Sequence, residues 1–550
     1  MFAAMILSWS RSLFARFVEF IEDRSSLKDV THDRNVHGYC LLEIRMAVLR
    51  TQLISSCLLI CLTAPISGYA EVSYSIVLAG GRVIDPETGL DAIRHVGLQD
   101  GRIARISEQP LEGDEVIDVS SLVVSPGFID IHSHTPTPLG QDYQVRDGVT
   151  TALELEAGAF PVDRFGQYLQ QGSRMNFGAS AAYGNMRAEV MHGVRQPHLT
   201  DPPELLGPLG WWWSIQSKFG HVTTANEKIA DADEREQLRS LMIEGLDQGG
   251  IGIGLLLDYY SEGIDSEELR AIFDVASARA APIFIHIRRG INGDPAGLYE
   301  VLTLARETGA SIHICHITHN AMVNLELFLK EIRLAQADGV DVTTELLPYT
   351  AGSTSIGAAV FGRDWRTIFN IDYGDVEWAA TGERFTQEMW QDYRANQPNG
   401  QVVHHYLSED WNRRAVVEPG LMVVSDLLPM FTEESKVAPH NGAFARVLGR
   451  YYRQEGLLDL NTALTKMTLL QAKRLEQVAP VFKNKGRLQE GADADITIFD
   501  PLTIIDKATY QDPYQASEGI HHVLVNGVFV VRDSELIADA FPGKRLSAGQ

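Results

Sequence analysis

The sequence predicts an α/β fold, a (β/α)8 barrel of the TIM type with a small β-sandwich domain formed from both chain ends. Short apolar runs alternate with amphipathic helical stretches through the middle of the chain, a pattern typical of repeated βα units. On either side of this middle, apolar and polar residues alternate around glycine-containing turns, as in short antiparallel strands. Ionisable residues gather where the apolar runs end, and barrel enzymes have their active sites at those strand ends.

Composition narrows the class of protein. The chain has 550 residues, of which 45% are hydrophobic and 22% charged, which is enough for one large domain and a smaller one and excludes a disordered chain. The formal net charge of -25 argues against a nucleic-acid-binding surface and against adhesion to anionic lipid. We therefore expect a small molecule as the partner, and an anionic one would need a local basic pocket.

The first 70 residues are predicted to lie outside the fold. Residues 46–70 contain a short basic segment, an apolar run and small residues ahead of Glu71, the form of a secretory signal peptide with cleavage after Ala70. The apolar run is too short for a membrane span, which needs about 20 apolar residues. Residues 1–45 precede this signal and are interpreted as an extension or a mis-assigned start. The prediction is export, to the periplasm.

The remaining chain is divided into three parts. Residues 71–125 and 481–550 are predicted to form the β-sandwich, and residues 126–480 the barrel. The eight predicted barrel strands are, in order, "GFIDIHSH", "VTTALELEA", "NFGASAAYG", "GIGIGLLLDY", "PIFIHIR", "SIHICHIT", "DVTTELLPY" and "LMVVSDLLP".

The first of these strands ends in His132 and His134. A strand points alternate side chains to the same face, so both imidazoles leave on one side in a chelating geometry. Neutral ring nitrogens suit zinc or a similar ion, although a lone His-x-His is as often a polar loop.

Other strand ends carry further candidates of the same kind. Burying an unpaired charge destabilises the fold, so such residues at several strand ends indicate a shared function, such as binding a metal ion. Taken together they predict a site for one or two divalent ions. His319 is assigned to a loop and Cys315 to packing. The candidates at the strand ends are Glu154, Glu156, Tyr259, Tyr260, His286, Arg288, His316, Tyr349 and Asp426.

The motifs "SPGFIDIHSH", "DGVTT", "HIRRG", "CHITH", "LPYTAGST", "VVSD" and "NKGRLQEGADADITIFDP", in this order, resemble the amidohydrolase superfamily. Within it they are most similar to the N-acyl-D-amino-acid deacylases, over essentially all of residues 74–540. The combination of "GVTTALELEAG" with "HICHIT" further resembles the D-glutamate deacylases. The resemblance implies hydrolysis of the amide bond of N-acyl-D-amino acids and one or two zinc ions. The metal ligands that it implies are His132, His134, His286, His316 and Asp426.

The second strand departs from the family pattern. Many D-aminoacylases have a metal-ligating cysteine there in an Asn-Cys-Gly context, whereas this chain has the segment Glu156-Ala157-Gly158. Either Glu156 or Glu154 then supplies the metal-binding oxygen, and Glu156 is favoured because it lies closer to the position of the cysteine.

The family also implies roles in catalysis and substrate binding. Asp426 is the expected general base and Tyr349 the expected donor to the oxyanion. A free substrate carboxylate needs donors. The candidates by position are Arg288, Ser355 and a tyrosine at 259 or 260. Of the two tyrosines, Tyr260 is the one predicted to bind the substrate.

A second departure concerns that carboxylate. Many D-aminoacylases have a lysine two residues after the histidine of strand six, where this chain has Thr318. The "RRG" segment is a candidate replacement that would suit an acidic substrate, although Arg289 is expected at the surface.

Two alternatives stay open. A cyclic-amide or dipeptide hydrolase of the same superfamily usually has a carbamylated lysine on a barrel strand, whereas strand four ends in Asp258-Tyr259-Tyr260. A non-catalytic binding barrel is the alternative from another class, and the complete set of ligands argues against it. The run Trp211–Trp213 is predicted either to line an acyl pocket or to pack under a long loop.

Overall fold

The structure is a computed structural model, and it describes residues 73–134, 137–167, 169, 171–193, 227–433, 438 and 440–550. The predicted extension (1–45), the predicted signal peptide (46–70) and the run Trp211–Trp213 lie outside the described residues. Within those residues, no helix combines the length and the apolar character needed to cross a membrane.

The strands and helices follow the alternation predicted from the sequence. The strands are β1 (Tyr74–Asp85), β2 (Leu90–Gln99), β3 (Arg102–Ser107), β4 (Gly113–Asp118), β5 (Val123–Pro126), β6 (Phe128–Asp130), β7 (Val149–Ala159), β8 (Asn176–Ala182), β9 (Ile253–Leu255), β10 (Ile283–Ile285), β11 (Ile312–Ile314), β12 (Val342–Leu346), β13 (Gly352–Ser355), β14 (Val376–Trp378), β15 (Glu383–Arg384), β16 (Gln401–His404), β17 (Met422–Val423), β18 (Ile496–Phe499), β19 (Ile520–Val525), β20 (Val528–Arg532) and β21 (Glu535–Leu536). The α-helices are α1 (Pro138–Val145), α2 (Tyr183–His192), α3 (Ala232–Asp247), α4 (Ser266–Ala278), α5 (Ala296–Thr308), α6 (Ile317–Ala321), α7 (Leu325–Ala337), α8 (Trp365–Phe369), α9 (Gln387–Asn396), α10 (Glu409–Val416), α11 (Ala443–Arg446), α12 (Leu460–Met467) and α13 (Leu469–Leu475). A π-helix follows α11 at Val447–Gln454.

Eight parallel strands form the barrel, in the order β6-β7-β8-β9-β10-β11-β12-β17. They correspond to the eight strands predicted from the sequence. The first and last strands meet just beyond their ends, where the amide of Asp426 donates to the carbonyl of His132 at 2.8 Å. The amide of His134 likewise donates to the carbonyl of Leu427 at 2.9 Å. The predicted barrel is therefore confirmed, and its closure joins two of the predicted ligand segments.

The helical layer begins and ends at residues that the sequence marks. α3 starts after Asp231, whose carboxylate accepts from the amide of Glu234 while the side chain of Glu234 accepts from the amide of Asp231. α5 ends at Gly309, which takes the left-handed conformation (φ 72°) that favours glycine. Each of these helices buries its apolar face in the large cluster that surrounds the barrel strands. This layer packs around the strands whose ends carry the candidate residues.

Both ends of the described chain contribute to the smaller β domain. Its nine-stranded sheet runs β21-β20-β19-β18-β5-β1-β2-β3, with β4 paired to β1. The junction lies at β5, where Val124 is in register with Val83 on one side and Ile498 on the other. Strands that lie far apart in the sequence are thus held in one sheet next to the start of the barrel.

An insertion between β12 and β17 forms a four-stranded sheet in the order β13-β16-β14-β15. It has an aromatic core of its own, which includes Phe361, Trp365 and Trp390. Gly352 on β13 pairs with His404 on β16, and a Cβ at position 352 would lie 2.7 Å from the Cε1 atom of His404. Glycine at this position therefore leaves room for the imidazole of His404.

A buried ion pair joins the barrel to the β domain. The ammonium of Lys485, which is 2% exposed, donates to Asp495 at 2.7 Å and lies 2.9 Å from Asp493. Asp495 also accepts from Asn176, the first residue of barrel strand β8, at 3.0 Å. Removing the ammonium would leave the buried carboxylate of Asp495 without its cation, whereas Asp493 would keep the guanidinium of Arg102 at 2.6 Å.

We expect Lys485→Met to lower the free energy of unfolding by about 3–5 kcal/mol, because it breaks a buried pair from one side. The matched control is Lys507→Met, which removes an exposed partner of Glu518 (3.2 Å) and should change stability by about 0–1 kcal/mol. Urea unfolding of both variants measures the difference. Equal stability of the two variants would show that Lys485 is not needed at this junction.

Candidate metal centre

The candidate site lies at the carboxyl ends of the barrel strands. His132 and His134 follow β6, and Glu156 is on β7. His316 and Asp426 have positive φ angles of 32° and 48°, a conformation that non-glycine residues rarely adopt. Such strain is concentrated at functional sites, where the surrounding structure holds it in place.

The first pair of imidazoles, His132 and His134, shares two carboxylates. Their Nε2 atoms are 3.3 Å apart. Glu156 Oε2 lies 3.2 Å from the Nε2 atom of His132 and 3.5 Å from that of His134. Asp426 Oδ1 lies 3.4 Å and 3.3 Å from the same two nitrogens. Four ligand atoms therefore face one small volume.

The second pair of imidazoles lies on the other side of Glu156. Its Oε1 atom is 3.1 Å from His286 Nδ1 and 2.9 Å from His316 Nε2. One oxygen of the Glu156 carboxylate thus contacts the first pair of imidazoles, and the other oxygen contacts the second pair. Within both sets, His132–His134–Glu156 and Glu156–His286–His316, the ligand atoms lie within 4.8 Å of one another. Imidazole nitrogen and carboxylate oxygen are zinc ligands, so these residues fit a site for one or two such ions.

The rings and carboxylates of this cluster stabilise each other's charged forms. Burial alone would raise the pKa of Glu156, but His132 and His316 hold it well below its ordinary value. Burial alone would lower the pKa of His132, but Glu156, Asp426 and Glu345 raise it well above its ordinary value. A metal ion bound here would replace protons as the cation that the carboxylates attract.

A second layer of carboxylates orients the imidazoles. His132 Nδ1 lies 2.5 Å from Glu345 Oε1, and His134 Nδ1 lies 3.0 Å and 3.1 Å from the two oxygens of Glu154. Glu345 also accepts from the backbone amide of His316 at 3.1 Å and contacts His313 Nε2 at 2.9 Å. These contacts point the Nε2 atoms of His132 and His134 toward the centre. Glu345 was not among the residues predicted from the sequence, although a lone acidic residue in the strand "VTTEL" was an available signal.

A cavity of about 180 Å³ opens beside this cluster. Five of the six predicted ligands border it directly, and residues from the helical layer and the insertion complete its wall. The polar and charged residues that line it are His134, Glu156, Tyr259, His286, Arg289, His316, His319, Ser353, Thr354, His404, Tyr406 and Asp426.

The structure corrects the prediction for Arg288. Its guanidinium turns away from the cavity, pairs with Glu300 and donates to the carbonyl of Ile264. The neighbouring Arg289, predicted to lie at the surface, is buried and lines the cavity. Strand β10 ends at Ile285, so the strand alternation no longer applies three or four residues further on, where the two arginines lie.

The residues that line the cavity also do not include Tyr260 or Ser355, which were predicted to bind the substrate. Tyr260 packs in the helical layer, with its hydroxyl against Gly184, whereas Tyr259 lines the cavity and meets Thr354 Oγ1 at 3.4 Å. A short 3-10 helix, Leu257–Tyr260, changes the direction of the chain after β9. Ser355 lies at the end of β13, outside the cavity wall formed by the preceding residues of that strand.

Tyr349 is not among the described residues that line the cavity. Its ring stacks on His440 at a centroid distance of 4.8 Å and lies 5.0 Å from the guanidinium of Arg446. Its buried hydroxyl has no hydrogen-bond partner in the described part of the chain. The predicted oxyanion role therefore has no support from this geometry.

His319, predicted to be a loop residue, lies in α6 and lines the cavity, while Cys315 is packed as expected.

Comparison with known proteins places this site in a family. A model described as "Amidohydrolase family" matches residues 435–531. The chain is 30% identical over 484 residues to the N-acyl-D-glutamate deacylase of Alcaligenes xylosoxydans xylosoxydans, covering 83% of this chain and 93% of that protein. It is 27% identical over 496 residues to the D-aminoacylase of the same organism, covering 82% and 94%.

A solved structure agrees. It is that of the N-acyl-D-glutamate deacylase from Bordetella bronchiseptica, complexed with zinc and a phosphonate inhibitor that mimics the tetrahedral intermediate. The TM-score is 0.69 at 25% sequence identity, covering 87% of this chain and 100% of that one. The chain therefore belongs to the amidohydrolase family, in the branch of the N-acyl-D-amino-acid deacylases, and the resemblance read from its motifs is confirmed.

The geometry distinguishes the two glutamates of β7. We expect Glu156→Gln to lower metal affinity by at least 10 to 100-fold, because the amide cannot supply a charged oxygen to both imidazole pairs. Glu154→Gln changes a residue that contacts His134 Nδ1 from the second layer, so the stability of the fold should fall and metal affinity should fall by less than in Glu156→Gln. Metal content by atomic absorption, with thermal midpoints measured alongside, compares the two. Loss of metal from Glu154→Gln alone would reverse the assignment.

Proposed function

We propose that this protein is a zinc-dependent hydrolase that cleaves the amide bond of N-acyl-D-amino acids, releasing a carboxylate and a free amino acid. The observation that carries the proposal is the position of Glu156 between two imidazole pairs at the wall of a cavity. The similarity to an N-acyl-D-glutamate deacylase and a D-aminoacylase over most of the chain supports the same reaction and substrate class.

The zinc ligands in this proposal are the six residues of the cluster. Zinc held by these residues would polarise the scissile carbonyl and would make water a nucleophile at neutral pH by lowering its pKa to about 7. One or two ions fit, because Glu156 presents one oxygen to each imidazole pair. The proposed ligands are His132, His134, Glu156, His286, His316 and Asp426.

Asp426 is the proposed general base and acid. Its side chain is 20% exposed and lines the cavity, so it can reach substrate as well as the Nε2 atoms of His132 and His134. Those two imidazoles lower its pKa against the effect of burial, so its carboxylate is ionised. It takes the proton of the attacking water and delivers it to the leaving nitrogen. Amide hydrolysis requires that delivery because an amide anion leaves poorly.

We expect purified protein to contain about one to two equivalents of zinc and to lose deacylase activity reversibly on chelation.

A panel of N-acetyl D- and L-amino acids, assayed on metal-replete protein, should show turnover of D-isomers. Because Asp426 is also a proposed ligand, Asp426→Asn is assayed in protein shown to retain zinc, and there it should lower kcat by at least about 100-fold through the lost proton transfer. Full activity of metal-free protein, or hydrolysis confined to cyclic amides, would contradict the proposal.

We further propose that the chain is exported and begins near Glu71 after signal cleavage. The support is the form of residues 46–70, with a basic start, an apolar run and small residues before the cleavage point. N-terminal sequencing of protein from the periplasm of a bacterial host should give a terminus near Glu71. An intact Met1 terminus in the cytoplasmic fraction would refute export.

A further inference from the structure

The cavity has a second polar group of residues besides the metal centre. Arg289 follows β10, His319 lies in α6, His404 ends β16, and Tyr406 comes two residues later. Phe369 connects them, because the guanidinium of Arg289 lies 5.4 Å from its ring centroid and the ring of Tyr406 lies 4.6 Å from it. These residues come from the barrel wall and from the insertion, and the metal-centre proposal uses none of them.

Arg289 is a buried cation without a close carboxylate. Its side chain is 6% exposed, and its guanidinium donates to His286 Nε2 at 2.9 Å and to Asn320 Oδ1 at 3.5 Å. The nearest carboxylate among the described residues, Asp258, is 3.9 Å away, beyond hydrogen-bond distance.

Asp258 is already occupied by other donors. Both of its oxygens accept from Arg363 at 2.9 Å, and one also accepts from the backbone amide of Arg289. A guanidinium has five N–H donors, and these contacts leave some of the donors of Arg289 without a close acceptor. An anion that enters the cavity would satisfy them and would pair with the buried charge.

Three further polar atoms on the same wall have no hydrogen-bond partner in the described part of the chain. They are His319 Nε2, His404 Nδ1 and Tyr406 Oη, and each side chain is more than nine-tenths buried. The ring of Tyr406 stacks on His404 at 5.0 Å and meets His319 edge-on at 5.8 Å. Buried polar atoms are costly when unsatisfied, so a ligand with several acceptor atoms fits beside Arg289.

We propose that Arg289, together with Tyr406 and His319, forms the subsite that binds a carboxylate of the substrate. The inference rests on the proposed function, because it takes an N-acyl amino acid as the ligand. A planar guanidinium matches a carboxylate with two parallel hydrogen bonds, and the phenol and imidazole supply further contacts. Arg289 is thereby a substrate-binding residue that fixes the orientation of the amide relative to the metal centre.

The test compares Arg289→Met with Arg288→Met, a neighbour whose guanidinium pairs with Glu300 outside the cavity. The substrates are N-acetyl-D-glutamate, its α-carboxamide and its γ-carboxamide. We expect Arg289→Met to lower kcat/KM for the dicarboxylate by about 10 to 100-fold, as for the loss of a charged hydrogen bond. The same substitution should have little effect on whichever amide lacks the carboxylate that Arg289 binds. Arg289→Lys should recover part of the loss, and Arg288→Met should leave all three ratios unchanged.

Binding without turnover separates this inference from the proposed function. In the Asp426→Asn background, calorimetry measures the Kd of N-acetyl-D-glutamate with and without Arg289→Met, whether or not the wild-type enzyme hydrolyses it. A 10 to 100-fold weaker Kd supports the subsite even if the panel shows no deacylation. An unchanged Kd, or an equal effect of Arg289→Met on the dicarboxylate and both amides in a folded protein, overturns the subsite and leaves the deacylase proposal intact.

Discussion

The site depends on one carboxylate, that of Glu156, held between two pairs of imidazoles. Its oxygens face His132 and His134 on one side and His286 and His316 on the other. Removing so many ionisable groups from water is unfavourable unless each has an opposite charge or a hydrogen-bond partner. A divalent cation on either side of Glu156 meets that requirement, and the barrel is the frame that brings the six ligand segments to it.

The frame contributes more than proximity. Glu345 and Glu154 hold the outer nitrogens of His132 and His134, so the inner nitrogens are aimed before any ion binds. The hydrogen bond from the amide of Asp426 to the carbonyl of His132 closes the barrel and positions the predicted base next to the first pair. At this end of the barrel, the same hydrogen bonds that close the fold also place the ligands. The insertion completes the cavity from the opposite side with Tyr406 and its neighbours.

The sequence could predict the parts of the site that lie on regular strands. The eight strands and the convergence of their ends follow from apolar runs and from the geometry of a parallel barrel, which places His132, His134 and Glu156 together. Prediction failed where the chain leaves the strand. Arg288 and Arg289 lie beyond the end of β10, where alternation no longer decides which side chain points inward.

Tyr259 and Tyr260 show the same limit, since a 3-10 turn after β9 reverses which of the two faces the cavity. Residues of the insertion, such as His404, could not be assigned at all, because their place depends on how a separate small sheet packs.

The most direct test of the central claim, that Glu156 binds the metal, is a crystal structure with diffraction measured at the zinc edge. We predict an anomalous peak within about 2.2 Å of a Glu156 oxygen, on one or both sides of its carboxylate. Zinc peaks at the cluster with none within that distance of Glu156 would contradict the account.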